Sequence, residues 1–412
     1  MEKGKTKLSF SRRLRRMGVK LGETIVTKGK QNIIILLALI ILILIFYALN
    51  PRFLKLYNIV SMAQSLAPYA ILALGVTFVI ATGGIDLSIG TVCIASSVIA
   101  GHLYSKEIIP LWMTIPFMII IGGIFGLANG FLVAKLKIPA FIATLGTMML
   151  SRGLSAIIVA VPNIFYPTGS WFNKVFSNYN KFPVGLLWVI GFMLLCMYLM
   201  YKNKIGRYIL SIGSNEEATR LSGINTDKYK MLAYVFSGIG AGIAAIFWSA
   251  SFTTVAAATG NGYELDAIAG VYIGGTSAAG GIASVSGSII GSMMLVVIRS
   301  GLNFVLAKFN LNVNATYVTY VLTGIIVVVA VLMDIIKNKN AARVKIYTPA
   351  QKLKHQYKER KKIIEYRMDE VLSDRSITPE QRNEAAAKLG RELEEAKSEY
   401  KLELDKLKAE TK

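Results

Sequence analysis

The chain has 412 residues, 54% of them hydrophobic, a formal net charge of +22 and a mean hydropathy of +0.51. A soluble protein of this length needs far more polar surface to cover itself, so a soluble globular fold is excluded. Of the 24 acidic residues, 14 follow Asp334, while basic residues gather at the edges of apolar runs, a pattern of membrane topology rather than nucleic-acid binding. Cys93 and Cys196 each sit in an apolar run and the only histidines are His102 and His355, so no disulfide framework, metal or other cofactor is expected.

In chain order, Arg12, Arg13, Arg15, Arg16, Lys20, Lys28 and Lys30 precede the apolar run 33–49. That run is long for a signal peptide and is followed by Asn50-Pro51-Arg52 rather than a small-residue cleavage site, so it reads as a retained first span. A helix needs about 20 apolar residues to cross the hydrocarbon core. Such runs recur at 59–80, 85–103, 111–134, 139–161, 184–201, 230–252, 264–279, 284–306 and 316–336. The expected fold is all-α, a polytopic transmembrane helical bundle of about ten spans. Its transmembrane body at 33–336 lies between a basic N-terminus, 1–32, and a charged helical tail, 341–412. The runs flanking Gly83-Gly84 and Gly280-Gly281 read either as paired short spans or as broken helices with re-entrant pieces.

An even count places both termini on one side. Lys135, Lys137, Lys202, Lys204, Arg207, Lys228, Lys230 and the cluster Lys337, Lys339, Arg343, Lys345 then join the N-terminus in the cytoplasm, with Arg52 and Lys55 as exceptions. The segment 162–183 falls outside, its Tyr166, Trp171, Phe172 and Tyr179 suited to an interface or a docked partner. In the tail, Thr378 and Pro379 read as the cap and first residue of a last helix whose Leu389, Leu393, Tyr400 and Leu404 form a thin apolar seam.

Four features can carry function. In Thr82-Gly-Gly-Ile-Asp-Leu-Ser-Ile-Gly90, Asp86 and Ser88 admit two readings: a polar place in a pathway, or a cap for the next helix. In Gly260-Asn-Gly-Tyr-Glu-Leu-Asp-Ala267, Glu264 and Asp266 suit the positive end of a helix, and the stretch through Thr276 and Ser277 to Gly291 is small-residue material for close packing. Arg152 and Arg299 lie within apolar runs, so at least one is expected to pair with Asp86, Glu264 or Asp266. Between two spans, Ser214 or Asn215 can cap a short helix with Glu216 and Glu217 in its first turn, and Gly223 can end it. Gly4-Lys5-Thr6 imitates the end of a phosphate loop, but the upstream glycine is missing, so no ATP site is expected on this chain.

These stretches resemble the permease subunits of bacterial ABC importers of the ribose/galactose (monosaccharide) type. The resemblance rests on Ala73–Ile80 with Thr82–Ser88, Ile138–Gly146 with Arg152-Gly153, Gly213–Ile224, and Gly262–Ala269 with Gly274–Ser277. It implies a transport subunit of the bacterial inner membrane that is not itself an enzyme and holds no cofactor. A second permease copy, commonly identical, would complete the pathway within the membrane lipid. A cytoplasmic ATPase would dock on Gly213, Asn215, Glu216, Glu217, Ala218, Arg220, Leu221 and Gly223, and an extracytoplasmic solute-binding protein on the outer loops. Arg299, where such permeases often carry a neutral residue, and the tail from about residue 341 depart from the pattern. Alternatives are a permease for nucleosides or another solute of the same superfamily, an ion-coupled secondary transporter using the three intramembrane carboxylates, and a scaffold built around the tail.

Overall fold

The structure is a computed structural model that describes residues 32–159, 163–256, 259–260, 262–309, 315–342, 349–373 and 378–410. The basic residues before position 32 and the tail turn at 374–377 lie outside the described residues. Two units are distinguished, Met1–Asn338 and Lys339–Lys412.

The first unit is built from α1 (Asn32–Leu49), α2 (Leu56–Ala81), α3 (Ile89–Ser105), α4 (Thr114–Gly130), α5 (Ala140–Val159), α6 (Trp171–Phe176) and α7 (Gly185–Met197). It continues through α8 (Lys204–Ser214), α9 (Glu216–Leu221), α10 (Thr226–Phe252), α11 (Tyr263–Ile273), α12 (Val285–Lys308) and α13 (Ala315–Ala342). Each of the ten apolar runs holds a helix, and eight helices among the described residues are long and apolar enough to cross a membrane. The two that fall short are α3, with 17 residues, and α11, with 11. Both adjoin the glycine pairs. Gly83, at φ 78°, ends the helical path of α2, and Gly275, at φ 88°, stops the chain from continuing α11. These are the broken spans that the sequence left open.

α2 is apolar all round, as a helix enclosed on every side must be, and nearly all of it from Leu66 to Ala81 is buried. α10 lies against it and against α4. The α4–α10 approach depends on glycines at four-residue spacing, Gly122 and Gly126 against Gly238 and Gly242, with Gly130 against the Met231 backbone. Such rows let backbones approach where no side chain fits. A methyl group at Gly122 would fall on the Gly238 carbonyl and one at Gly238 on the Gly122 carbonyl, whereas at Gly123 it would meet only Ile239 Cγ1 at 3.6 Å. Gly122→Val is therefore expected to destabilise the bundle by about 1–3 kcal/mol, the usual cost of overpacking. Gly123→Val should leave it nearly unchanged. Thermal unfolding of the two purified variants makes the comparison.

Residues 163–183 are tied into the bundle rather than draped over it. Ile164–Phe165 (β1) pairs antiparallel with Thr254–Val255 (β2) in the register Ile164↔Val255. The Tyr166 hydroxyl donates to the Ser97 carbonyl at 2.6 Å. Of the four aromatics expected at an interface, Tyr166 and Phe172 are buried and stack on each other, while Trp171 and Tyr179 stay exposed. Aromatic content cannot separate the two pairs; the bulk of α3 behind Tyr166 does.

The second unit is a helical hairpin of α14 (Pro349–Ser373) and α15 (Pro379–Glu410). Tyr357 stacks on Tyr400 at 4.7 Å, Arg360 meets Glu399 at 2.5 Å, and Ile364 and Ala396 are buried. Thr378 Oγ1 accepts the Gln381 amide and Gln381 Oε1 accepts the Thr378 amide, each at 3.3 Å, a capping box with Pro379 at the first helical position. Leu389, Leu393, Tyr400 and Leu404 lie half-buried along one face of α15.

Candidate functional site

Asp86 is 1% exposed and fully engaged. Oδ1 accepts the Ser88 amide at 3.0 Å and the Ser88 hydroxyl at 2.7 Å, while Oδ2 accepts the Ser237 hydroxyl of α10 at 2.8 Å. Asn129 of α4 donates to Ser88 Oγ at 2.8 Å. The capping position of α3 is Ser88, with Asp86 two residues ahead, holding the turn. The arrangement bonds residues 82–88 to α4 and α10 from inside, which satisfies backbone and carboxylate where water is scarce. Ser237 and Asn129 are not recognisable as partners in the sequence; their polarity within apolar helices is the one signal they offer.

Asp266 and Arg299 form the expected intramembrane pair, Arg299 Nη2 to Asp266 Oδ2 at 2.5 Å. Arg299 Nη1 also donates to the Tyr69 hydroxyl at 2.6 Å, and Thr323 donates to Asp266 Oδ1 at 3.3 Å. α11 is thereby fastened to α2, α12 and α13. The space beside the pair is about 10 Å³, a volume for one water at most. Glu264, in the same turn, accepts the Gly262 amide at 3.2 Å, and its Oε2 has no hydrogen-bond partner among the described residues. The charge of Arg152 acts on it.

Thr276 and Ser277 close the segment after α11. The Ser284 amide donates to Thr276 Oγ1 at 3.0 Å, and Ser277 Oγ donates to Asp334 Oδ2 of α13 at 3.0 Å. Asp334 also accepts the Ala278 amide at 2.8 Å. Both residues hold the backbone.

The segment between α7 and α10 folds as two helices. α8 buries Gly206, Ile209 and Ile212, and Asn215 both ends it and caps α9 by accepting the Ala218 amide at 2.9 Å. Gly223, at φ 80°, follows the end of α9. Glu217, Ala218, Arg220 and Leu221 are exposed, Leu221 to 85%. A cleft of about 370 Å³ lined by Leu210, Ala218 and Ile224 lies between α8 and α9.

Glu216 bonds Arg220 at 3.2 Å and Lys230 at 2.5 Å, fixing α9 to the start of α10. Partial burial opposes its ionisation, but Lys230, with Arg220 and Lys137, outweighs burial and holds the carboxyl below its ordinary value. A lowered folded pKa gives stabilisation that is complete above the ordinary carboxylate pKa of about 4.3 and fades as pH falls through the lowered value. Amide exchange of residues 216–223 should therefore be insensitive to pH above that range, after correction for intrinsic rates, and lose protection below it.

Gly213 belongs to the inner side of this segment. It sits at the end of α8, where an added Cβ would collide with the Ala81 carbonyl and the Gly281 amide nitrogen. The Gly281 amide donates to the Ala81 carbonyl at 3.0 Å, and a Cβ on Gly280 would lie 2.7 Å from Gly83 N and 2.9 Å from Gly213 Cα. The two glycine pairs, about 200 residues apart in sequence, thus meet at one point with the end of α8, just before α9.

The family described as branched-chain amino acid transport system / permease component matches residues 58–331. The ribose import permease protein of Escherichia coli is 36% identical over 311 residues, covering 73% of this chain and 92% of that protein. The Bacillus subtilis ribose import permease protein is 34% identical over 307 residues, 72% of this chain and 91% of its own. The L-arabinose transport system permease protein of Escherichia coli is 31% identical over 289 residues, 70% and 86% respectively. No solved structure matches the chain. The matched region takes in the Asp86 turn, the glycine junction, α9 and the Asp266–Arg299 pair and ends before the tail; the chain is a multi-pass membrane protein that belongs to this permease family.

Proposed function

We propose that the chain is the membrane-spanning permease subunit of a sugar ABC importer. The observation that carries the reading is the likeness, at 31–36% identity over most of their length, to import permeases for ribose and L-arabinose. Two copies, as a homodimer in the lipid of the bacterial inner membrane, would enclose the pathway. Both termini and the tail 341–412 would be cytoplasmic. A separate ATPase supplies the energy, and an extracytoplasmic binding protein delivers the sugar.

In this reading α9 is the docking element. Leu221 is exposed to 85% on a capped, ion-paired helix, an apolar knob left uncovered by the described residues. The ATPase would move α9, and Gly213 would pass that movement to the two glycine turns. Each turn joins a full span to a shorter helix, so displacement there tilts α3 and α11 together. Asp86, Ser88, Glu264, Asp266, Thr276, Ser277, Arg152 and Arg299 then serve to hold the moving parts in register.

Reconstitution with a sugar-importer ATPase and its binding protein should give uptake that requires ATP and both partners and is blocked by vanadate. Uptake by this chain alone in ATP-free vesicles would favour an ion-coupled transporter and overturn the reading.

A further inference from the structure

A cleft of about 470 Å³ opens among the first turns of α2, the segment 168–180 and the end of α10. Gln64 lines it, about 25 Å along α2 from Ala81 at 1.5 Å per residue, so the cleft lies at the end of the bundle remote from α9. We infer that this cleft is a reception site for an uncharged, hydroxyl-rich solute of monosaccharide size; the inference deepens the sugar-importer reading and rests on it.

The lining chemistry selects that class. Among the lining residues Lys174 is the one charged side chain, and no carboxylate is present. An anion would find a single cation and a cation would find none of its counter-charges. The rest is largely amide and hydroxyl, groups that offer donor and acceptor together and so match sugar hydroxyls, which do the same. Tyr179, 53% exposed, supplies an aromatic face for the apolar side of a sugar ring. The volume falls in the range of small-molecule sites, roughly 300–1,000 Å³.

The floor is built and the walls are free. Ser177 is 3% exposed and accepts from Gln64 Nε2 and from Ser251 Oγ, each at 3.2 Å, joining three elements at one hydroxyl. Asn173, 8% exposed, donates to the Ala250 carbonyl at 2.7 Å. Above this floor the side chains of Lys174, Asn178, Asn180 and Thr253 make no hydrogen bond or ion pair among the described residues. The backbone is also held unusually. Asn180 at φ 47° and Thr253 at φ 51° are both left-handed, rare for any residue other than glycine and rarest for a β-branched one. Left-handed backbone of this kind gathers at binding sites because the fold spends stability to aim a side chain.

The test uses the full chain in nanodiscs without any binding protein, with D-ribose, D-fructose and L-arabinose as probes. Saturation-transfer NMR should show at least one of them bound. The double variant Asn178→Ala/Asn180→Ala, which removes no side-chain hydrogen bond among the described residues, should weaken it roughly tenfold, as loss of two hydrogen bonds to a ligand would. Gly390→Ala in the tail, where an added Cβ has nothing within 4 Å, should not change it. Absence of sugar signal in the wild type, or a signal unchanged in the double variant, overturns the site. So does a double variant that keeps its sugar signal but loses attachment of a separately added binding protein, which would make the cleft a protein-docking face. Parallel uptake measurements with the assembled importer separate the two levels: ATP-driven sugar uptake without a sugar signal sinks the cleft alone, whereas no uptake of any sugar sinks the importer reading.

Discussion

Replacing Gly213 with valine is expected to reduce ATP-driven uptake roughly tenfold or more while the ATPase still co-purifies with the chain. The added methyl groups would occupy the place of the Ala81 carbonyl and the Gly281 amide, and these are backbone atoms with no rotamer to yield. Overpacking of this kind costs about 1–3 kcal/mol. If the junction alternates between two arrangements during transport, that energy shifts their balance about five- to 150-fold. α9 should be spared, because its own bonds to Lys230 and to Asn215 do not pass through Gly213. Gly123→Val supplies the contrast. An added Cβ there would meet only Ile239 Cγ1 at 3.6 Å, so its cost should be small. Equal loss of uptake in the two variants, or loss of ATPase attachment in Gly213→Val, would show that the glycine junction carries no movement.

The separate parts of that junction are legible in the sequence, but their meeting is not. Gly83-Gly84 and Gly280-Gly281 announce themselves as helix breaks by composition, and Asn215 announces a cap. That Gly281 donates to Ala81 while Gly213 lies against both follows from the path of three chain segments, which no local pattern encodes. The same division runs through the bundle. Apolar length sets where helices lie, because a bilayer admits few alternatives. Their exact number of turns depends on partners. α11 stops after Ile273, where Gly275 at φ 88° turns the chain and Gly274 lies against the Gly287 backbone of α12. The carboxylates divide likewise. Residue type alone implied that a buried arginine needs Asp86, Glu264 or Asp266. The choice of Asp266 for Arg299 follows from α11 lying between α2 and α12, and Asp86 instead finds hydroxyls from Ser88 and Ser237. Ser237, Asn129, Tyr69 and Asp334 gave no periodic or motif signal, being single polar groups whose partners lie one or more helices away.

Arg299→Leu is expected to be the more damaging of the two single substitutions in the ion pair, and the double variant Asp266→Leu/Arg299→Leu to cost less than the two single losses added together. The asymmetry comes from burial. The Asp266 side chain is 8% exposed, whereas that of Arg299 is 34% exposed. Losing Arg299 strands a carboxylate whose remaining partner is a 3.3 Å bond from Thr323, and breaking such a buried pair costs about 3–5 kcal/mol. Losing Asp266 strands a guanidinium that keeps the Tyr69 hydroxyl and lies over the Tyr69 ring at 5.2 Å. With solvent screening of its exposed part, about 2 kcal/mol is the reasonable scale. Removing both charges leaves leucines in an apolar seam lined by Leu295 and Val296, so most of the penalty should be recovered. Thermal unfolding of the wild type, both single variants and the double variant gives the coupling energy directly. Additive losses would mean that the two charges do not depend on each other. A strong coupling would mean that α11, a helix too short to span the membrane, is held at its depth by one ion pair to α12. Arg299 would then be the compensation for a break that its neighbour Asp266 could not fasten alone.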